Sequence, residues 1–127
     1  ASFYVIDCLP NMTVEEVRQR VAPLATKIRE KNSNTPIVFV ENIVYSKSFY
    51  EEKTKSLIND KNNALKTEFE KLRKNGMKNL HYINNNGAIG YDNEATVDGV
   101  HMTDLGFMRM ADYLIENFDK NYLKIKQ

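Results

Sequence analysis

The chain has 127 residues, 42% of them hydrophobic, which is enough for one domain with an apolar core. The formal net charge of +1 gives no electrostatic argument for binding nucleic acid or an anionic membrane, and no apolar run approaches the roughly 20 residues of a membrane span. The one cysteine excludes an internal disulfide, while localisation, including secretion or the periplasm, stays open.

Three short apolar runs are typical of buried parallel strands, and three amphipathic stretches predict helices. Thr13 and Glu16 have the spacing of a capping box, Gly76 is a good residue just after a helix, and Thr103 can cap the last helix. Pro23 is expected to kink or end the first helix. In chain order we predict strand 3–8, helix 13–31, strand 36–40, helix 52–75, strand 79–84 and helix 103–117.

Apolar spacing also predicts which face of each helix is buried. The predicted inward residues are Val17, Val21, Leu24 and Ile28 in the first helix, Leu57, Ile58, Leu65, Phe69 and Leu72 in the second, and Leu105, Met108, Ala111, Leu114 and Phe118 in the third.

The alternation of strands and helices predicts an α/β fold, in which right-handed crossovers give a parallel sheet with helices on both faces. Functional groups in such sheets collect at the carboxyl ends of the strands. Asn11 follows the first strand, and Asp98 and His101 follow the third. We therefore expect these three residues to meet at one edge of the sheet.

Asp98 precedes His101 by three residues, in a loop that runs into the last helix. A histidine that acts as a general base needs a second group that fixes its tautomer and stabilises the imidazolium. Gly99 permits a turn tight enough for Asp98 to reach Nδ1 of His101. The chain has only two histidines, so the pattern predicts that His101 is a general base oriented by Asp98.

The segment DGVHMTDLGF, residues 98–107, resembles the last catalytic block of the SGNH (GDSL-type) hydrolases, whose signature is Asp-x-x-His. It departs from that family at Met102, where proline is common. The segment YVIDCLPNM, residues 4–12, resembles the strand and loop that carry the family's oxyanion-hole asparagine. Asn11 takes that position, although Leu9 and Met12 replace the usual glycine and aspartate.

The resemblance extends from Phe3 to about Leu114 and implies a flavodoxin-like three-layer α/β/α fold, with three of the family's five strands in this chain. It implies Asn11 as an oxyanion donor beside His101 and Asp98, and no cofactor or metal. The family's Gly-Asp-Ser block, which carries the nucleophile, does not occur in the sequence. We therefore expect a single domain, residues 1–127, that is the C-terminal part of an ester hydrolase and is inactive alone.

The implied substrates are small-molecule or carbohydrate esters, turned over by a GDSL-type lipase or acylhydrolase or by a carbohydrate esterase. In the implied fold, the strand from Phe3 to Cys8 would lose its neighbours when the first two strands are absent. An exposed apolar strand edge is prone to pairing. We therefore expect either a homodimer or a swap through this edge, or a chain cut from a larger ordered molecule.

Two other interpretations stay open from the residues. A non-catalytic α/β binding or assembly module could keep the Asp-x-x-His loop without chemistry. Cys8 could be a nucleophile with His101 and Asp98, although a buried strand cysteine is the favoured reading. A metal site of Asp98, His101 and Asp104 is disfavoured because it lacks a third strong ligand and a recognisable spacing.

Several polar residues near predicted strands have structural explanations. Ser46 and Ser48 follow a strand without the Gly-x-Ser-x-Gly pattern of a nucleophile, which favours solvated loop positions. Glu41 is expected to mark a strand end, and His81 to be structural.

Overall fold

The computed structural model describes the backbone of residues 1–121 and the side chains of residues 1–118. All six predicted elements are confirmed, with ends that differ by a few residues. They are β1 (Tyr4–Ile6), α1 (Val14–Lys31), β2 (Ile37–Val40), α2 (Glu52–Lys74), β3 (Leu80–Ile83) and α3 (Asp104–Asn121), with 3-10 turns at Leu9–Asn11 and Ser46–Phe49.

The three strands form one parallel sheet in the order β1-β2-β3, which confirms the α/β class. Val5 pairs with Val38, and Val38 pairs with His81. β2 is buried at every position, as expected for a central parallel strand. Among residues 1–121, β1 has a partner strand on one side only, and Val5 is 43% exposed. Dimerisation or swapping through this edge stays a prediction.

Contacts between residues divide the chain into two compact units. The single domain stays a prediction. The first unit comprises residues 1–42 and 59–84, and the second comprises residues 43–58 and the described residues from 85 onward. In the first unit, the ring of Phe69 packs edge to face against that of Phe39, with 6.1 Å between the ring centroids, and its centroid lies 5.0 Å from that of Tyr82. Its core consists of Ile6, Leu9, Val17, Val21, Ala25, Ile37, Phe39, Ala64, Leu65, Phe69 and Leu72.

The first helix begins as predicted but does not end at Pro23. The Thr13 amide donates to Glu16 Oε2 at 2.8 Å, and the Glu16 amide donates to Thr13 Oγ1 at 3.2 Å, which completes the capping box. Pro23 lies inside a helix that continues to Lys31. A proline removes one backbone donor, and the buried Val21 and Ala25 on either side keep the helix in place.

The predicted inward faces need correction in each helix. Leu24 and Leu57 are 43% and 48% exposed. In α3, the predicted Leu105 and Met108 are 40% and 64% exposed, and Ala111 is also exposed. Gly106 and Met110 are buried instead, and Phe118 is buried as predicted.

The physical reason in α3 is the close approach of Gly106 to the carbonyl oxygen of Ala95. This contact turns the glycine side of the helix inward, and a glycine contributes no apolar signal to a hydropathy stripe. No helix within residues 1–121 is both long enough and apolar enough to cross a lipid bilayer.

Arg29 fixes the loops around the sheet. Its guanidinium donates to the carbonyl of Thr35 at 2.7 Å and to the carbonyl of Lys78 at 3.0 Å. It also donates to the carbonyls of Asn32 and Ser33, just past the end of α1. One side chain therefore holds the segments that enter β2 and β3, a role that the sequence did not indicate.

Candidate functional site

The Asp98–His101 turn brings the two predicted catalytic side chains together. His101 Nδ1 lies 2.7 Å from Asp98 Oδ2. The other carboxylate oxygen, Oδ1, accepts the backbone N–H groups of Val100 at 3.0 Å and His101 at 2.8 Å. Gly99 has φ +87°, a conformation that side chains disfavour. The carboxylate therefore fixes both the ring and the backbone that carries it.

These hydrogen bonds determine the protonation state of the carboxylate. The backbone N–H of His101, the His101 ring and the Val100 N–H lower the pKa of Asp98 well below its usual value of 3.8. An ionised Asp98 accepts from Nδ1–H, which leaves Nε2 as the basic nitrogen. The His101 side chain is 80% exposed, so Nε2 is accessible to a reactant.

The loop that carries the pair is closed at its base on the start of α3. The Val97 amide donates to the His101 carbonyl at 2.8 Å, and the Thr103 amide donates to the Ala95 carbonyl at 3.0 Å. The Thr103 hydroxyl donates to the Glu94 carbonyl at 3.1 Å and accepts the Gly106 amide at 3.1 Å, so that Thr103 caps α3 as predicted. Residues 94–103 therefore form a closed loop with the Asp-His pair at its tip.

Close packing supports this loop from two sides. A Cβ at Gly106 would lie 2.2 Å from the Ala95 carbonyl oxygen, so that only glycine fits there. The Lys47 amide donates to the Gly99 carbonyl at 3.0 Å. A Cβ at Gly99 would lie 2.9 Å from Tyr50 Oη. The segment after β2 therefore contacts the Asp98–His101 turn.

Arg109 links α3 to the polypeptide that leads into the loop. Its two terminal nitrogens contact the carboxylate of Asp92 at 2.7 and 2.6 Å, and one of them also donates to the Ile89 carbonyl at 3.0 Å. This bidentate pairing holds the pKa of Asp92 well below its usual range. The sequence gives no sign of this pair, because its members are 17 residues apart and belong to no motif.

Asn11, the predicted oxyanion donor, ends the 3-10 turn Leu9–Asn11. Its backbone N–H donates to the Cys8 carbonyl at 3.2 Å. The side chain is exposed, and within residues 1–118 its amide makes no hydrogen bond, so that it is free to donate. Asn11 belongs to the first unit, whereas Asp98 and His101 belong to the second. The meeting of all three at one sheet edge stays a prediction.

Cys8 lies in an environment that disfavours a nucleophilic thiolate. Its side chain is half-buried and packs against the core of the first unit. Burial and the neighbouring charge of Asp7 raise the pKa of the thiol. The expected buried strand position is corrected, because Cys8 lies past the end of β1, just before the 3-10 turn Leu9–Asn11, and is only half-buried.

The serines after β2 correct one expectation. Ser46 and Ser48 are 7% and 4% exposed rather than solvated. The Ser48 hydroxyl donates to the Tyr45 carbonyl at 2.7 Å, because a 3-10 turn folds this loop inward. Glu41 accepts a 2.6 Å hydrogen bond from the Tyr82 hydroxyl, which gives it a structural role at the end of β2.

No three His, Cys, Asp or Glu side chains within the described part of the chain lie together as metal ligands. Asp98, His101 and Asp104 are therefore not grouped as a set of three metal ligands. Asp104 lies in the first turn of α3, where an acidic residue favours the helix dipole. His81 is half-buried on β3, and burial lowers its pKa.

Comparison with known proteins gives one family and two similar structures. The model of the GDSL-like lipase/acylhydrolase family matches residues 1–118. A Bacteroides ovatus ATCC 8483 protein described as a GDSL-like lipase is 32% identical with a TM-score of 0.91, over 94% of this chain and 36% of that one. A search of curated proteins finds no match.

The salicylyl-acyltransferase SsfX3 from a tetracycline biosynthetic pathway has a similar fold, with 18% identity and a TM-score of 0.74. It is matched over 99% of this chain and 40% of its own length. The chain therefore spans less than half the length of either structure.

Proposed function

Because the chain belongs to the GDSL-like lipase/acylhydrolase family, a family of hydrolases and acyl-transfer enzymes, we propose that it carries the histidine and aspartate of an ester hydrolase. The nucleophilic serine of that enzyme lies outside these 127 residues. The observation that carries this proposal is the 2.7 Å contact between His101 Nδ1 and Asp98 Oδ2, in a turn that leaves the rest of the imidazole exposed.

The proposed reaction has two acyl-transfer steps. His101 Nε2 takes the proton from the serine hydroxyl while the serine oxygen attacks the ester carbonyl. The tetrahedral intermediate collapses, the C–O bond to the alcohol breaks, and His101 returns the proton to the departing alcohol. Water then attacks the acyl-enzyme by the same route and releases the acid. Asp98 orients the ring and stabilises the imidazolium.

Asn11 is the proposed donor to the oxyanion. Its exposed side-chain amide has no hydrogen-bond partner within residues 1–118, and the residue ends the 3-10 turn Leu9–Asn11. One preorganised donor of this kind accelerates such reactions by about 10²- to 10³-fold. The proposed substrates are small-molecule or carbohydrate esters, and the reaction needs no cofactor.

The test is hydrolysis of p-nitrophenyl acetate by the full-length protein. We expect His101→Ala to lower kcat by about 10⁴- to 10⁶-fold, as loss of a triad member does. His81→Gln, which alters the other histidine, is the matched control and should keep its activity. Equal rates for wild type and His101→Ala would contradict the hydrolase proposal and favour the non-catalytic binding module.

A further inference from the structure

Lys61 is a buried cation within the first unit. It lies on α2 with 8% of its surface exposed. Its ammonium donates to the carbonyl of Leu9 at 3.0 Å and to the carbonyl of Pro10 at 3.3 Å. Among residues 1–118 no carboxylate lies within salt-bridge distance of Lys61. Backbone carbonyls therefore take the place of water around this charge.

A buried lysine without an ion pair is unfavourable for folding, because its charge loses hydration. Burial lowers the pKa of Lys61, and the charge of Glu16 offsets this lowering only in part. A methionine or leucine at this position would fill the same space without that cost. The groups that the ammonium binds must therefore account for a lysine at this position.

Both carbonyls belong to the 3-10 turn Leu9–Asn11. Such turns are short and have poor hydrogen-bond geometry, so that they need outside support. The buried Leu9 side chain anchors one side of the turn in the core, and Lys61 binds the backbone. The Pro10 carbonyl is in the same planar peptide unit as the Asn11 nitrogen and Cα. A hydrogen bond to this oxygen therefore restricts the orientation of Asn11.

We propose that Lys61 is a positioning residue that holds Asn11 ready to donate to the oxyanion. This inference rests on the proposed role of Asn11. Lys61 touches neither substrate nor the reacting atoms; it acts through the carbonyls of Leu9 and Pro10. Preorganisation is what makes an oxyanion donor effective, because the donor then needs no reorientation as charge develops.

The test is a double-mutant cycle in the full-length protein, with Lys61→Met and Asn11→Ala alone and together. Lys61→Met keeps a side chain of similar shape and removes the donors. We expect it to lower kcat by about 10- to 100-fold, part of the value of one oxyanion donor, with KM nearly unchanged. In the Asn11→Ala background, Lys61→Met should cause no further loss.

Lys66→Met is the matched control, because Lys66 is an exposed lysine of the same helix; it should keep wild-type kinetics. Lys61→Arg keeps the charge and the donors and should restore most of kcat. If Lys61→Met does not fold, Lys61→Gln, which is neutral and shorter, takes its place in the cycle. Unfolding in urea establishes that each variant is folded under assay conditions.

The outcomes separate this inference from the proposed function. Wild-type kcat in folded Lys61→Met, or an equal loss with and without Asn11, overturns the positioning role while His101→Ala stays inactive. Wild-type activity in Asn11→Ala overturns the oxyanion role and this inference together. Full activity in His101→Ala overturns the hydrolase itself.

Discussion

Replacing Gly106 by alanine tests whether the packing of α3 determines the position of the Asp-His loop. The added Cβ would lie 2.2 Å from the Ala95 carbonyl oxygen, whereas such contacts are essentially never shorter than 3.0 Å. The backbone at Ala95 must therefore move by about 0.8 Å or more. Because the same oxygen accepts the Thr103 amide at 3.0 Å, this movement strains the hydrogen bond that closes the loop.

The expected change in the free energy of unfolding follows from two costs and one gain. Overpacking costs about 1–3 kcal/mol, and the weakened hydrogen bond costs about 1 kcal/mol. Alanine returns about 1 kcal/mol through its higher helix propensity. We therefore expect Gly106→Ala to lower the free energy of unfolding by about 1–3 kcal/mol. A shift of about 1 Å at a catalytic group lowers the rate by about 10²-fold, so that activity should fall more than stability suggests.

The assay combines urea unfolding with kcat/KM for p-nitrophenyl acetate on the full-length protein. Gly76→Ala is the matched control, since Gly76 has φ +86° and no atom within 4 Å of an added Cβ. It should be destabilised by about 1–2 kcal/mol through backbone strain alone and should keep its activity while folded. A Gly106→Ala variant with wild-type stability and activity would refute the proposed link between α3 packing and the loop.

Three further changes have defined expected results. Arg29→Ala should lower the free energy of unfolding by about 2 kcal/mol in urea melts, because several carbonyls lose a charged donor; an unchanged midpoint would contradict this. The pKa of Asp98 lies below its usual 3.8, so its stabilisation is present above that pH and is lost as pH falls further. Asp98→Asn should therefore show a smaller fall in Tm below about pH 4 than the wild type does. An equal fall in both proteins would contradict the stabilising role of the Asp98 carboxylate in the turn. Cys8→Ala should keep full esterase activity, and loss of activity would favour the cysteine nucleophile.

Local sequence was sufficient for the elements and for the pairing of Asp98 with His101. The three strands and three helices were predictable from apolar periodicity and from caps such as Thr13 and Thr103, which act over three or four residues. Asp98 and His101 are equally local, because a three-residue separation with Gly99 between them is a turn in itself. The parallel sheet also followed, since alternating strands and helices leave few other connections, whereas the order β1-β2-β3 was decided by the structure.

What only the tertiary structure decided depends on atoms far apart in sequence. The inward face of α3 is set by the contact of Gly106 with the Ala95 carbonyl, and a glycine is silent in a hydropathy pattern. The interaction of Lys61 with the Leu9 carbonyl joins residues 52 positions apart. Helical spacing places Lys61 on the predicted inward face, between Ile58 and Leu65, but the sequence does not indicate what its ammonium binds. Backbone carbonyls have no sequence signature, so the side chains that bind them become visible only in the folded chain.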